Sequence, residues 1–312
     1  MAAKSGAEVI LADEDFNMGG RLNSERFSLN HQSGVDWALS TVLELQSFQN
    51  VRLMPRTTIL GAFDHGIYGA LERVSDHLLV PLAGKPRQIL WQIYTKRSLL
   101  CAGATERPIA FENNDRPGIM LAGAMRSYAN RWAVTPSQSV AIFTNNDDGH
   151  KTAIDLKALG VNIAGVVDIR LDAPDSDLYE VIAGGQVIDT NGRLGLTSIT
   201  VSTPNGKTRC LTCGALGVSG GWNPNIHLTS HHRGRPVWND DIAAFCPPID
   251  GPAGLSVAGA ALGSFTTTGA LLSGAKQATE ALEELGFKTK KAVLPEAEGT
   301  ITKMTPFWYV EG

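Results

Sequence analysis

Leu100-Cys101-Ala102-Gly103-Ala104-Thr105-Glu106-Arg107-Pro108 and Leu216-Gly217-Val218-Ser219-Gly220-Gly221-Trp222-Asn223-Pro224 repeat one device. In each, an apolar strand runs into small residues, then into a polar residue and a proline. Small residues let the backbone pass close to another backbone or a bound nucleotide, and proline drives the chain out of the sheet. Two copies imply that the chain leaves a first α/β unit, builds a second, and returns.

Toward the N-terminus, the apolar run Ala7–Asp13 reads as a buried parallel strand closed by an acid. Such an acid in a dinucleotide fold accepts ribose hydroxyls about 20 residues beyond a glycine-rich turn. Met1–Gly6 reads instead as the end of a helix capped by Gly6, which places the preceding strand and phosphate loop before residue 1. Asp13 is therefore a ribose candidate. In the loop Phe16–Leu22, Gly19 and Gly20 permit close approach to a ligand and Arg21 offers a phosphate partner; an ordinary glycine turn is the alternative. Ser33 caps an expected helix to Gln49 with Val35, Leu39, Val42, Leu43 and Leu45 on its apolar side. Residues 51–63, 67–74 and 88–94 read as an antiparallel meander, and Ser98–Cys101 as the strand entering the first crossing. His65 and His77 fall at turns with no acid or nucleophile beside them, so they are read as surface residues.

Past the first crossing, Gly118–Arg131 reads as a helix, and Ser139–Phe143, residues 144–153 and Val161–Asp168 as strand, loop with helix, and strand. The loop lacks the glycines that bring amides to a pyrophosphate, and Asp147 with Asp148 would repel one, so this unit reads as a scaffold. Residues 192–201 and 208–213 read as a hairpin with a type I′ signal at Pro204-Asn205-Gly206-Lys207. Gly254–Leu271 reads as strand, small-residue turn and helix start, with Gly286 ending the helix. Amides at that start suit a diphosphate; tight strand-to-helix packing alone is the alternative.

At 312 residues the chain exceeds the ~250–300 at which a single core stops growing, as two units require. Lys and Arg number 27 against 31 Asp and Glu, a net charge of −4 with no basic tract, which argues against a nucleic-acid partner. No apolar stretch approaches the ~18 residues of a membrane span, and no signal peptide is visible; with four cysteines this points to a reduced, cytoplasmic setting. Cys210 and Cys213 form a C-x-x-C with no second pair to complete a zinc site, and positions three apart on a strand face opposite ways, so no metal site is expected.

The expected fold is α/β: two nested dinucleotide-binding, Rossmann-like domains of the FAD/NAD(P)-binding kind, the first lacking its N-terminal strand and glycine-rich loop. Its parts are residues 1–113 and 208–312, with the second domain inserted at 114–207.

Val9–Leu22 (VILADEDFNMGGRL), Ala104–Leu121 (ATERPIAFENNDRPGIML) and Val218–His227 (VSGGWNPNIH) together resemble the central region of the alpha subunits of heterotetrameric sarcosine oxidases. Hydrogen cyanide synthase and opine or proline dehydrogenase complexes are kin of that family. The resemblance spans essentially the whole chain; its specific part is the joint occurrence of Glu106-Arg107-Pro108, Asn114–Gly118 and Gly221-Trp222-Asn223-Pro224. It implies NAD in this subunit (FAD the alternative), a beta subunit carrying FAD and the amine-oxidising site, FMN between the two, and further small subunits. It also implies that Asp13 and Glu14 meet the adenosine ribose, Arg21 belongs to the glycine-pair loop, Thr58 and Ile59 meet the adenine, and Gly259, Ala260, Phe265 and Thr267 lie along the nucleotide. A ferredoxin-like region and a folate-binding domain of the family lie outside these residues. The activity implied is oxidation of a secondary amine, such as N-methylglycine, to glycine and formaldehyde with oxygen as acceptor. No catalytic acid, base or nucleophile is assigned in this chain. Two other readings stand beside it: a non-catalytic scaffold stabilised by its nucleotide, and an FAD-dependent disulfide reductase using Cys210 and Cys213.

Overall fold

The computed structural model describes residues 1–230, 234–297, 299 and 303–311. A 3-10 turn over Ala3–Ser5 ends at Gly6, in the left-handed conformation at φ 83°. β1 (Val9–Ala12) follows, then α1 (Gly34–Gln46), whose first turn is capped by the Ser33 hydroxyl accepting the Asp36 amide at 3.1 Å. β2 (Val51–Met54) lies parallel to β1, Val9 opposite Val51 and Ala12 opposite Met54. The amides of Val9 and Asp13 donate to the carbonyls of Asn50 and Met54 at 2.8 and 3.0 Å. Strand alternation therefore turns the amides of Ile10 and Ala12 to the other edge, where no described strand pairs with them. The expected burial of this strand is not seen: Ile10 is 47 % and Leu11 38 % exposed, because one edge and part of one face lack a neighbour.

β3 (Thr57–Phe63), β4 (Ile67–Arg73) and β5 (Gln88–Tyr94) form the antiparallel meander, around a small cluster of Met54, Ala70 and Ile93. β6 (Ser98–Leu100) then leads to the crossing strand β7 (Ala104–Glu106).

The second unit holds most of the core. β8 (Ile119–Leu121) opens it, followed by α2 (Ala122–Trp132). The helix expected from Gly118 thus starts late, because Ile119–Leu121 hydrogen-bond to a strand distant in sequence, a tertiary choice that periodicity does not show. β9 (Ser139–Thr144), α3 (Asp147–Ala158), β10 (Asn162–Asp168) and β11 (Val181–Ala183) follow. β12 (Gln186–Asn191), β13 (Ser198–Ser202) and β14 (Thr208–Thr212) form an antiparallel layer, and β15 (Ala215–Ser219) returns to the main sheet. That sheet has the order β8-β15-β9-β10-β11 and is parallel throughout. One face packs Val140, Ile142 and Val166 with Met125 of α2 and Leu156 of α3. The other packs Phe143, Val167 and Leu216 against Val187, Ile199 and Val201 of the antiparallel layer.

Two expectations are corrected here. The sequence places residues 208–219 in the returning first domain, yet β14 pairs with β13, and β15, buried at all five positions, sits between β8 and β9. The inserted unit therefore runs through Ser219. The β13–β14 turn is also not type I′: only Gly206 has positive φ (73°), and its amide donates to the Thr203 carbonyl at 2.9 Å. Pro204 holds φ near −65°, which a type I′ turn forbids.

β16 (Trp222–Pro224) pairs antiparallel with β7, Trp222 opposite Glu106 and Pro224 opposite Ala104, so the two repeated stretches bind each other. A Cβ on Gly220 would lie 2.8 and 2.9 Å from the carbonyl oxygens of Pro108 and Arg107, which is why a small residue stands there. β17 (Leu255–Val257) then pairs in parallel with β6, and α4 (Thr267–Glu284) starts from a Thr266 cap on the Gly269 amide at 3.0 Å. Gly286, at φ 81°, follows its end as expected.

Candidate functional site

Asp13 stands at the C-terminal end of β1, where parallel sheets bind ligands. Its carbonyl accepts the Thr57 amide at 2.8 Å, which brings Thr58 and Ile59, on β3, beside it. One carboxylate oxygen, Oδ1, accepts the Asp15 amide at 2.9 Å. Burial pushes the carboxyl pKa up in spite of that bond, helped by the charges of Asp15 and Glu14. Glu14 is exposed, and its carbonyl accepts from Arg73 at 2.7 Å. Thr58 is half-buried, and Ile59 packs on the Met54 cluster.

In the glycine-pair loop, Gly20 has φ 55° and open space where a Cβ would stand, whereas Gly19, at φ 138°, is held 2.9 Å (Cβ position) from the Ala38 methyl. Arg21 is not free for a phosphate. It pairs with Glu25, lies 3.7 Å from Asp148, and stacks on the Trp222 ring at 4.3 Å. Those carboxylates hold its pKa up. The expected phosphate contact through Arg21 is thus replaced by an ionic contact between the two units.

At the other half of the site, Gly259 and Ala260 begin a 3-10 turn after β17, with Phe265 and Thr267 following toward α4. The Gly259 amide is already taken by the Ser273 hydroxyl at 3.0 Å. Ala260 and Thr267 have no such bond from their amides among the described residues. β1 and β17 lie in separate two-stranded sheets, β1 with β2 and β17 with β6. β6 gives the Ser98 amide to Gly254 and the Leu100 carbonyl to Ala258, which leaves the Leu99 amide on the opposite, unpaired edge. The two halves carry an acid and helix-start amides, as a dinucleotide requires; no glycine-rich turn joins them among the described residues.

A second polar cluster, not foreseen from the sequence, fastens the two units. Glu106 of β7 accepts the Gly123 amide at 2.7 Å and so caps α2, which has no cap of its own. Burial raises the Glu106 carboxyl to about 7, against the hydrogen bonds from Ser219 and Gly123; Asp148 adds to the rise and Arg21 opposes it. Trp222 Nε1 donates to Asp148 at 2.6 Å. Arg126 bridges Glu25 (3.1 Å) and Asp155 (2.5 Å), and Arg131 pairs with Asp15 at 2.7 Å. These residues come from five separate stretches of sequence, so no local motif announces them.

His65 and His77 are exposed. Cys210 is exposed while Cys213 is buried, neither forms a disulfide, and burial raises the Cys213 thiol to about 11. That geometry is wrong for a redox pair. Among the described residues no group of three or more His, Cys, Asp or Glu is arranged to hold a metal, and no helix is long and apolar enough to cross a membrane.

No protein-family model matches the chain. It is 38 % identical over 316 aligned positions to "Sarcosine oxidase subunit alpha" of Rhizobium meliloti (strain 1021), covering 100 % of this chain and 32 % of that protein. It is 36 % identical to the protein of the same name from Corynebacterium sp. (strain P-1), covering 99 % and 33 %. The chain thus spans about a third of the length of these curated relatives. Among solved structures, L-proline dehydrogenase from P. horikoshii superposes with TM-score 0.69 at 20 % identity, over 92 % of this chain and 54 % of that one. Lactococcus lactis thioredoxin reductase superposes with TM-score 0.66 at 14 % identity, over 90 % and 92 %. These two likenesses establish the expected α/β dinucleotide-binding fold, and the curated relatives bear out the resemblance read from the motifs.

Proposed function

Since this chain is similar from end to end to about a third of the sarcosine oxidase alpha subunits, we propose that it is the dinucleotide-holding part of such a subunit, within a multi-subunit flavoenzyme. The full-length likeness carries this reading. Asp13 takes the ribose hydroxyls, Thr58 and Ile59 flank the adenine, and the turn from Gly259 through Thr267 takes the diphosphate, with Ala260 and Thr267 as amide donors. NAD is the cofactor favoured by the resemblance, and FAD the alternative. The bound group supplies two-electron carriage, while the chain's part is position. Asp13 and Gly20 set where the nucleotide lies, and the junction built on Glu106 and Arg126 sets the angle between the units.

One edge of β1 and one edge of β6 pair with no described strand, which suits a further parallel strand and the turn that cradles phosphate. The partner is a beta subunit that carries the amine-oxidising site, with smaller subunits beside it; the substrate is a secondary amine such as N-methylglycine, oxidised to glycine and formaldehyde with oxygen as acceptor. The test is the assembly as purified. Amine-dependent oxygen uptake with formaldehyde release supports the reading, and a preparation that holds a dinucleotide yet oxidises no N-methylated amino acid overturns the substrate assignment.

A further inference from the structure

The β9–α3 turn, Thr144-Asn145-Asn146-Asp147-Asp148-Gly149, keeps only the last glycine of a Gly-x-Gly-x-x-Gly turn. A Cβ on Gly149 would lie 2.5 Å from Thr144 Cβ and Oγ1, so this glycine still lets helix pack on strand. The middle position, where a diphosphate needs bare backbone, is Asn146. Its Oδ1 accepts the Asp148 amide at 2.9 Å, and its Nδ2 donates to Asn145 Oδ1 at 2.8 Å and the Ser219 carbonyl at 3.0 Å. The helix start is therefore capped from within, and Asp147 and Asp148 oppose an anion there. Asp168, the acid closing β10, is fully buried and engaged by Arg170 Nη2 at 2.7 Å and His150 Nε2 at 2.9 Å.

The chain's own residues 303–310 lie over this turn. The Thr305 amide donates to the Asn145 carbonyl at 3.0 Å, and Asn145 Nδ2 donates to the carbonyls of Thr305 (2.8 Å) and Phe307 (3.2 Å). The Lys303 amide donates to Asp147 at 2.9 Å, and Arg170 to the Lys303 carbonyl at 3.1 Å. Further on, the Ala110 amide meets the Trp308 carbonyl at 2.8 Å and the Val310 amide meets the Ala110 carbonyl at 2.9 Å. Val310 is buried in the core of the second unit.

We propose that the crevice at the C-terminal end of the second sheet is a socket for this chain's own strap, residues 303–310, and takes no dinucleotide. The strap latches the β9–α3 turn to the segment that leaves the first crossing at Ala110. The groups a nucleotide would use there are engaged within the chain: the Asp148 amide by Asn146, the strand-end acid by Arg170 and His150, and the turn's carbonyl and carboxylate by the strap. The inference does not depend on which nucleotide, if any, the first unit holds.

Hydrogen exchange read by mass spectrometry, on the full chain with and without millimolar NAD, NADPH or FAD, tests it. Exchange at residues 303–310 is expected to be slow and unchanged by all three ligands, and Asn145→Ala to speed it by about tenfold or more as its two side-chain bonds to the strap vanish. Ligand-induced protection across residues 144–149 with faster exchange at 303–310 would mean that a nucleotide displaces the strap, which overturns the proposal. Fast exchange at 303–310 in the unaltered protein, indifferent to Asn145→Ala, overturns it as well. Protection around residues 13–21 and 259–267 reports on the first unit separately, so the two readings fail independently.

Discussion

Replacing Glu106 by glutamine should change how stability depends on pH. The carboxyl is 7 % exposed and sits between Arg21, Asp148, Ser219 and the Gly123 amide. In the folded chain its pKa is about 7 against an ordinary 4.5, so folding favours the protonated acid. The resulting penalty is absent below pH 4.5, grows as pH rises through that interval, and is constant above about 7. A rise of that size corresponds to about 3 kcal/mol on the charged form. Glutamine keeps an acceptor for the Gly123 amide and carries no charge. The variant should therefore gain stability relative to the wild type between pH 5 and pH 8, by up to about 3 kcal/mol. Glu106→Ala, which also uncaps α2, should lose about 1 kcal/mol relative to Glu106→Gln at both pH values. Urea denaturation at the two pH values measures this directly. Parallel pH dependence in wild type and Glu106→Gln would refute the placement of a reluctant acid at the junction.

Other expected outcomes are simpler to state. Gly149→Ala forces a methyl to 2.5 Å from Thr144 and should cost about 2–3 kcal/mol, seen as a lower Tm than in Gly160→Ala, whose Cβ meets nothing within 4 Å but whose backbone sits at φ 85°. In the native chain near pH 8 a thiol reagent should modify the exposed Cys101 and Cys210 and leave Cys213 untouched until denaturant is added. Rapid labelling of Cys213 would contradict its burial on the sheet.

The elements written in local chemistry were legible: the Ser33 cap, the stops at Gly6 and Gly286, the meander, and the small-residue stretches that became the paired crossing strands β7 and β16. Pro204 also carried its message, since a fixed negative φ excludes the type I′ turn that Asn205-Gly206 suggests. Tertiary choices were not legible. Ile119–Leu121 becomes a strand only because β15 lies beside it, and β15 belongs to the second unit because its five buried residues sit between β8 and β9. Arg21 reads as a phosphate ligand until Glu25, four residues on, and Asp148 and Trp222, from two other parts of the chain, claim it. The strap at 303–310 has no periodicity, and its bonds run through backbone groups that any sequence possesses. The acid closing β1 and the start of α4 were readable as elements, but the open edges of β1 and β6 emerge only from which amides find partners.

The most direct measurement is the nucleotide content of the purified protein, with whatever subunits accompany it, after denaturation and chromatography of the released cofactor. One NAD or FAD attributable to this chain, retained in the wild type and in Asp168→Asn but depleted by Asp13→Ala, is the predicted result. Retention that Asp13→Ala leaves unchanged would contradict the assignment of the first unit as the place where the dinucleotide is held.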